Sequence, residues 1–355
     1  MNRAISEQLS KYYTLEYVGP VNPKPDYFSK LLSKLLRVTG RPGPFHTFSR
    51  RRLRNAAVEI DGRINPNAAF DFFHGATPWI MCRPLRPYFT YLDCCFGTYI
   101  DIYHERGRFL ESDLQRIEKT ERKWLAQAKA VFFSSKYALD ETARRYDFSG
   151  HHLHLAGLGA SIQTPDTDSY QGQPNLLFVA NDFYRKGGML CVKALAIVRE
   201  VVPGANLIII GQRPPTWALQ QPGVLWRGFL RKTSPEELKE LQACFASAFV
   251  LLLPTTSDMT PLVIPELGFY GCPVIASRSF GIPEMVKDGT TGLLLKPPPS
   301  IGELATKVIQ LFQNASLYRF IRKEVRAWSI EEFCWPRIVN KMRLTMDCMV
   351  SAAGS

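Results

Sequence analysis

The sequence predicts an α/β protein built from two domains, each with a parallel sheet between helices. Its 355 residues suffice for two separate hydrophobic cores. Residues 163–175 are polar and rich in Pro, Gly, Ser and Asp, which is typical of a linker. Beyond them, apolar strand-like runs alternate with helical segments, as in parallel sheets. We therefore expect an N-terminal domain over 1–165 and a C-terminal domain over 172–330.

The C-terminal domain has the more regular pattern. Its short, continuous apolar runs are typical of strands buried on both faces of a sheet, and Ser234-Pro-Glu-Glu has the form of a helix capping box. The pattern predicts strands over 176–180, 207–210, 249–253 and 274–276, and helices over 187–202, 234–246, 301–313 and 316–327.

The N-terminal domain is less regular but is also of the α/β kind. Its pattern predicts strands over 15–18, 70–73, 87–91, 130–134 and 152–155, and helices over 111–128 and 137–146.

The composition bears on membrane insertion, secretion and nucleic-acid binding. No apolar run reaches the 18 or more residues that span a bilayer, and the first residues have no apolar signal region. These features predict a cytoplasmic protein. The formal net charge is +12, and no nucleic-acid-binding motif accompanies it.

The basic excess is concentrated early in the chain. It consists of Lys30, Lys34, Arg37, Arg41, Arg50, Arg51, Arg52 and Arg54. Such a patch attracts anionic surfaces. We favour contact with the inner face of an anionic membrane or with an anionic acceptor, and a solvated surface remains the alternative.

Polar side chains follow the strands of the C-terminal domain. Asp258 and Glu266 come after the strand at 249–253, and Arg185 and Lys186 come after the strand at 176–180. Open α/β sheets bind ligands at the carboxyl ends of their strands. Two acids there predict a ligand with hydroxyls, and two cations predict phosphate. The alternatives are a turn-stabilising Asp, a helix-dipole Glu and two surface cations.

Residues 175–330 resemble the donor-binding domain of the GT-B glycosyltransferases of family 4, the retaining group 1 enzymes. The pair Asp258-x7-Glu266 resembles the family's two acids, with Asp in the first place. Three further segments resemble family motifs: 181–188 (NDFYRKGG), 271–276 (GCPVIA) and 281–284 (GIPE). Residues 258–266 also match a bacterial subgroup with the pattern D-x-T-P-x-V-x-x-E.

The resemblance implies a GT-B fold, in which two Rossmann-like domains face each other across a cleft and a helix at about 333–355 packs back on the first domain. It implies a nucleotide-sugar donor, with UDP, GDP or ADP as the nucleotide. The acceptor would be a glycan, a lipid-linked sugar or a small molecule of cell-envelope polysaccharide synthesis. No metal, other cofactor or nucleic acid is implied.

The resemblance also implies roles for individual residues. Glu266 would accept hydrogen bonds from the ribose, and Asp258 would hold the donor sugar. Arg185 and Lys186 would stabilise the leaving phosphate, as fixed cations do where charge develops. The remaining expected donor contacts are Gly187, Gly188, Gly228, Phe229, Thr260, Pro261, Leu262, Gly281 and Ile282. Met259, Thr260 and Pro261 stand where the family usually has glycines.

The first domain departs from the family in two ways. Its strand at 87–91 leads to Asp93, which keeps the place of the family's Asp at this strand end and would hold hydroxyls of the donor or the acceptor. Leu92 stands where His is usual. The chain also opens on a segment resembling the family's first helix, which leads to the hypothesis that the first strand is missing. A degenerate nucleotide-sugar-binding protein and a nucleotide-sugar epimerase are the alternatives to a transferase.

Overall fold

The computed structural model describes residues 2–351. The chain divides into two compact units, one formed by Met1–Leu158 with Trp335–Ser355 and the other by Gly159–Cys334. Among residues 2–351, no helix is both long enough and apolar enough to cross a bilayer.

The described chain forms two parallel sheets. The first unit holds a four-stranded sheet in the order β1-β2-β3-β4, and the second holds a six-stranded sheet in the order β10-β9-β8-β5-β6-β7. The strands are β1 Asp71–His74, β2 Tyr88–Leu92, β3 Ala130–Phe133, β4 Leu153–Leu155, β5 Asn175–Ala180, β6 Asn206–Gly211, β7 Val224–Trp226, β8 Ala248–Leu253, β9 Val274–Ser277 and β10 Gly292–Leu295.

Helices connect these strands, as the alternating pattern predicts. They are α1 Asn2–Leu9, α2 Tyr27–Val38, α3 Arg50–Asp61, α4 Phe96–Tyr103, α5 Glu111–Leu125, α6 Lys136–Tyr146, α7 Gly188–Val201, α8 Thr216–Leu219, α9 Pro235–Ala246, α10 Val263–Gly268, α11 Ile301–Gln313, α12 Ala315–Glu332 and α13 Trp335–Ser351. The helix expected at about 333–355 is α13, and residues 352–355 lie outside the described residues.

The sheet of the first unit is buried on both faces. Along β3, Val131 and Phe133 point into one apolar cluster, while Ala130 and Phe132 point into the other. Helices α1 and α13 pack against each other on the second of these faces. Burial on both faces explains why the strands read as continuous apolar runs.

The strand predicted at 15–18 is wrong. Residues 14–26 form neither helix nor strand, and Leu15 and Tyr17 are exposed. Val18 and Val21 pack against the core of this unit without forming a strand. A short apolar run of this kind becomes a strand only where a neighbouring strand pairs with it and covers its side chains.

Residues 163–175, whose composition predicts a linker, belong to the second unit and pack within it. Arg322 of α12 is buried and makes a two-bond ion pair with Asp168, with distances of 2.5 and 2.9 Å. Its guanidinium also lies 4.3 Å from the centre of the Tyr170 ring. The polar composition of this segment therefore serves specific contacts, which composition alone does not reveal.

The sheet of the second unit has a switch point between β5 and β8. From β5 the chain adds β6 and β7 on one side, and it then returns to add β8, β9 and β10 on the other. The connection after β5 and the connection after β8 run in opposite directions along the sheet. A crevice therefore opens between them at the carboxyl ends of these two strands. The turn into α7 follows β5, and the loop into α10 follows β8.

Gly187 lets these two connections approach each other closely. Its φ is +86°, and a Cβ atom there would lie 2.3 Å from the Pro254 carbonyl oxygen at the end of β8. Any other residue would meet both backbone strain and a clash with main-chain atoms. The close approach positions the side chains on either side of the switch point.

We expect Gly187→Ala to destabilise the second unit more than Gly289→Ala does. Gly289 has φ +78° with no atom within 4 Å of its Cβ position, so Ala there meets only the backbone cost of about 1–2 kcal/mol. At Gly187 the backbone must also shift away from Pro254. Urea denaturation measures both free energies of unfolding. Equal losses would show that the contact with Pro254 imposes no constraint.

Candidate functional site

The centre of the site is an ion pair across the switch point. The Lys186 ammonium, from the turn after β5, pairs with the Asp258 carboxylate from the loop after β8. Lys186 Nζ also donates to the Ser257 carbonyl oxygen at 3.1 Å. Both side chains are largely buried, with exposed fractions of 18% and 15%. The two connections predicted to carry the chemistry are thus joined through their charged side chains.

Burial and the ion pair act on Asp258 in opposite directions. Desolvation raises the pKa of Asp258, and the charge of Lys186 offsets part of this rise. Asp258 therefore depends on Lys186 for the stability of its ionised form. The alternative role, that of a surface Asp that stabilises a turn, does not fit a largely buried carboxylate paired with a largely buried ammonium.

Glu266 is a buried carboxylate on α10, with an exposed fraction of 3%. Its Oε1 atom accepts from the Lys232 ammonium and from the Ser161 main-chain N–H at 3.3 Å. Within the described part of the chain, both hydrogen bonds are made to this one oxygen, so Oε2 keeps its capacity to accept. The position of Glu266 in the first turn of the short α10 helix brings it to the carboxyl end of the sheet.

Lys232 and Ser161 are site residues that the sequence analysis missed. Lys232 lies between the end of β7 and Ser234, which caps α9. The sequence carried a signal for Lys232. A cation two residues before a helix capping box lies in a loop between a strand and a helix, at the same edge of the sheet as Glu266. No comparable signal marks Ser161, which contributes only a main-chain N–H.

Arg185 has a different partner from Lys186. Its Nε atom lies 2.6 Å from Asp182 Oδ2, and half of its side chain is exposed. The main-chain carbonyl of Arg185 accepts from Thr256 N–H at 3.4 Å. Arg185 therefore ties the turn after β5 to the loop after β8 through its backbone, while its guanidinium stays at the surface.

Gly228 and Phe229 stand at the outer end of the site, beyond β7. The Gly228 carbonyl accepts from the Gly211 N–H at 2.7 Å, which joins the ends of β6 and β7. Phe229 is 58% exposed. An exposed aromatic ring beside main-chain polar groups suits contact with a planar base.

The segment between the two acids is well ordered by its own backbone. Pro261 accepts from Ile264 N–H at 3.1 Å, and Leu262 accepts from Glu266 N–H at 3.2 Å. Thr260 is half-buried. These residues form the entry to α10, and their carbonyls accept its first hydrogen bonds.

The loop after β9 joins this segment through one hydrogen bond. Gly281 N–H donates to the Met259 carbonyl at 3.1 Å, and Ile282 is fully buried at the start of a short 3-10 helix. This helix is a single turn, Ile282–Glu284. Gly281 lies on the same sheet edge as the acid pair.

Asp93 belongs to the first unit and directly follows β2. After the neighbouring strand β3, Ser135 caps α6 by accepting from the Ala138 N–H at 3.1 Å. Ser134 has a buried hydroxyl without a hydrogen-bond partner among the described residues.

The positions discussed above contain carboxylates and cations but no metal-binding cluster. Among the described residues, no group of three or more His, Cys, Asp or Glu side chains has the arrangement that could hold a metal ion. The charged side chains at this edge of the sheet are Lys186, Asp258, Lys232 and Glu266.

Three comparisons with known proteins bear on this site. Residues 173–314 match the family model described as glycosyl transferases group 1. The chain is 27% identical over 229 residues to a GDP-mannose-dependent alpha-(1-6)-phosphatidylinositol monomannoside mannosyltransferase of Mycolicibacterium smegmatis, a match that covers 59% of each chain. The matches span between 30% and 59% of the length of the first three curated relatives.

Solved structures resemble both units. WaaG, a glycosyltransferase involved in lipopolysaccharide biosynthesis, aligns with a TM-score of 0.67 at 13% identity, covering 97% of this chain and 94% of that one. Anabaena Alr3699/HepE in complex with UDP aligns with a TM-score of 0.61 at 16% identity, covering 92% and 85%. The chain has the GT-B fold, and its residues 173–314 are similar to the group 1 glycosyl transferases.

Proposed function

We propose that this protein is a retaining glycosyltransferase that moves a sugar from a nucleotide-sugar donor to an acceptor hydroxyl. The observation that carries the proposal is the pairing of Lys186 with Asp258 at the switch point of the second unit, with the buried Glu266 on the same sheet edge. This arrangement offers a cation for phosphate and two acids for hydroxyls in one crevice.

Lys186 is suited to the leaving diphosphate. Its ammonium has three donors, of which two engage Asp258 and the Ser257 carbonyl. The third can donate to a phosphate oxygen. As the sugar–phosphate bond breaks, negative charge grows on that oxygen, so a fixed ammonium stabilises the transition state more than the bound donor. Arg185 supplies a second positive charge at the rim.

Glu266 is suited to the ribose. The carboxylate is buried and held from one side by Lys232 and Ser161 N–H. Its remaining oxygen can accept from the ribose hydroxyls, and a carboxylate prepositioned in this way pays little entropy on binding. Lys232 is a positioning residue, because it acts through Glu266.

The finer assignments of the proposal rest on the motif resemblance and on the relatives. Membership of the retaining family 4, and of its D-x-T-P subgroup, is supported by residues 258–266. A lipid-linked or glycan acceptor of the cell envelope is supported by the similarity to the phosphatidylinositol monomannoside mannosyltransferase and to WaaG, which is involved in lipopolysaccharide biosynthesis. The nucleotide is UDP, GDP or ADP, and Asp93 of the first unit is the candidate acid on the acceptor side. No metal cofactor is part of the proposal.

We expect Glu266→Ala to weaken nucleotide binding by about 10- to 150-fold, which corresponds to the loss of hydrogen bonds to a charged group. Titration calorimetry with UDP, GDP and ADP identifies the base and measures the loss. Glu240→Ala on α9, which removes an exposed acid of the same unit, should bind as the parent does. Failure of the parent to bind any of the three nucleotides would contradict the proposed site.

We expect slow hydrolysis of the matching nucleotide sugar, and we expect Lys186→Ala to reduce it by about 10²- to 10³-fold. Lys193→Ala, which removes an exposed Lys from α7, is the matched control. Product formation by chromatography measures the rate. A parent protein that binds the donor but neither hydrolyses nor transfers its sugar would show a degenerate binding protein in place of an enzyme.

A further inference from the structure

Helix α2 of the first unit exposes its apolar face to solvent. Its burial pattern is the reverse of that of an ordinary surface helix, which buries its apolar side chains. Ser33 is only 1% exposed, whereas the large apolar side chains point outward with exposed fractions between 38% and 81%. These side chains are Tyr27, Phe28, Leu31, Leu32, Leu35 and Val38.

The inward face of α2 is shaped for close backbone contact. A Cβ atom at Gly43 would lie 2.8 Å from the Ser33 Cα atom, so only a glycine opposite a small side chain permits this packing. Asp26 caps the helix by accepting from Ser29 N–H at 3.2 Å. The orientation of α2 is thus set by specific contacts, and the exposed apolar face follows from them.

A basic cavity of about 800 Å³ lies at the start of α2 and α3. Arg50, Arg51 and Arg54 line it. Its two acids are already engaged, since Asp26 caps α2 and Asp113 holds Arg116 at 2.6 Å. The cavity therefore has a surplus of positive charge suited to phosphate groups.

A second, smaller cavity of about 390 Å³ lies along α2 itself and is lined by Lys30, Lys34 and Arg37. His46 also lines it, and burial together with the charges of Arg37 and Lys30 lowers the pKa of His46. Helix α2 therefore has an exposed apolar stripe and, beside it, a basic stripe.

We propose that α2 is a membrane-docking helix, which lies in the interface of an anionic bilayer with its apolar side chains among the acyl chains and the flanking cations on lipid phosphates. A helix with an apolar face beside a Lys- and Arg-rich face binds in this manner, and each cation near the surface adds attraction to anionic lipid. The charge pattern selects this occupant, because an apolar protein partner would leave the adjacent basic stripe and the arginine cavity without counterions.

This inference goes beyond the proposed function, and its test uses no nucleotide or sugar. The full chain is floated with vesicles of phosphatidylcholine, and with vesicles of equal parts phosphatidylcholine and phosphatidylglycerol. We expect flotation with the anionic vesicles only, and we expect added salt to weaken it.

Two paired variants separate the apolar and electrostatic contributions. Leu31→Ser with Leu35→Ser, and separately Arg50→Glu with Arg54→Glu, should each lower partitioning into anionic vesicles by at least about tenfold. Leu85→Ser with Leu344→Ser, which changes exposed leucines elsewhere in the unit, and Lys119→Glu with Lys123→Glu on α5, should leave partitioning unchanged.

Several outcomes would overturn the proposal. These are the absence of flotation with anionic vesicles, equal binding to both vesicle types, and paired α2 variants that bind as the parent does. Light scattering provides a further arm. A dimer in solution that the Leu31 and Leu35 substitutions dissociate would identify a second copy of this chain as the occupant of the apolar face. Circular dichroism confirms that the surface variants remain folded.

Discussion

Lys186 and Asp258 form an ion pair that joins the ends of the two central strands of the second unit, β5 and β8. Gly187 permits the underlying contact, since no side chain fits between its Cα and the Pro254 carbonyl. Removing one partner would leave a charge that is largely buried and unpaired, which is strongly destabilising. The site and the local packing of the sheet therefore depend on the same few residues.

The ion pair also explains how one crevice can serve two parts of a ligand. Burial raises the pKa of Asp258, and the adjacent Lys186 offsets part of that rise and so favours the ionised carboxylate. Lys186 keeps one donor for phosphate because its other two are satisfied by protein. A comparable arrangement recurs at Glu266, where Lys232 engages one carboxylate oxygen. In both pairs the ionic contact fixes the position of the charged groups and leaves part of their hydrogen-bonding capacity available to a ligand.

The sequence predicted most strands, because buried parallel strands read as apolar runs that end at polar loops, and it placed the proposed site at the carboxyl edge of the second sheet. It did not predict that Lys186 would contact Asp258, since that contact depends on β5 and β8 being neighbours in the sheet. It missed Lys232, whose partner is distant in sequence, and it predicted a strand at 15–18 that lacks a pairing neighbour. It read 163–175 as a linker because the buried partner, Arg322, lies more than 150 residues away.

In the proposed site, Lys186 binds the diphosphate of the donor and Asp258 binds its sugar. Titration calorimetry of Asp258→Asn against the nucleoside diphosphate and against the matching nucleotide sugar tests it most directly. We predict that the variant binds the diphosphate within about threefold of the parent, because Lys186 remains and a nearby negative charge is gone, while the nucleotide sugar loses at least about tenfold in affinity. Equal losses for both ligands would contradict the claim.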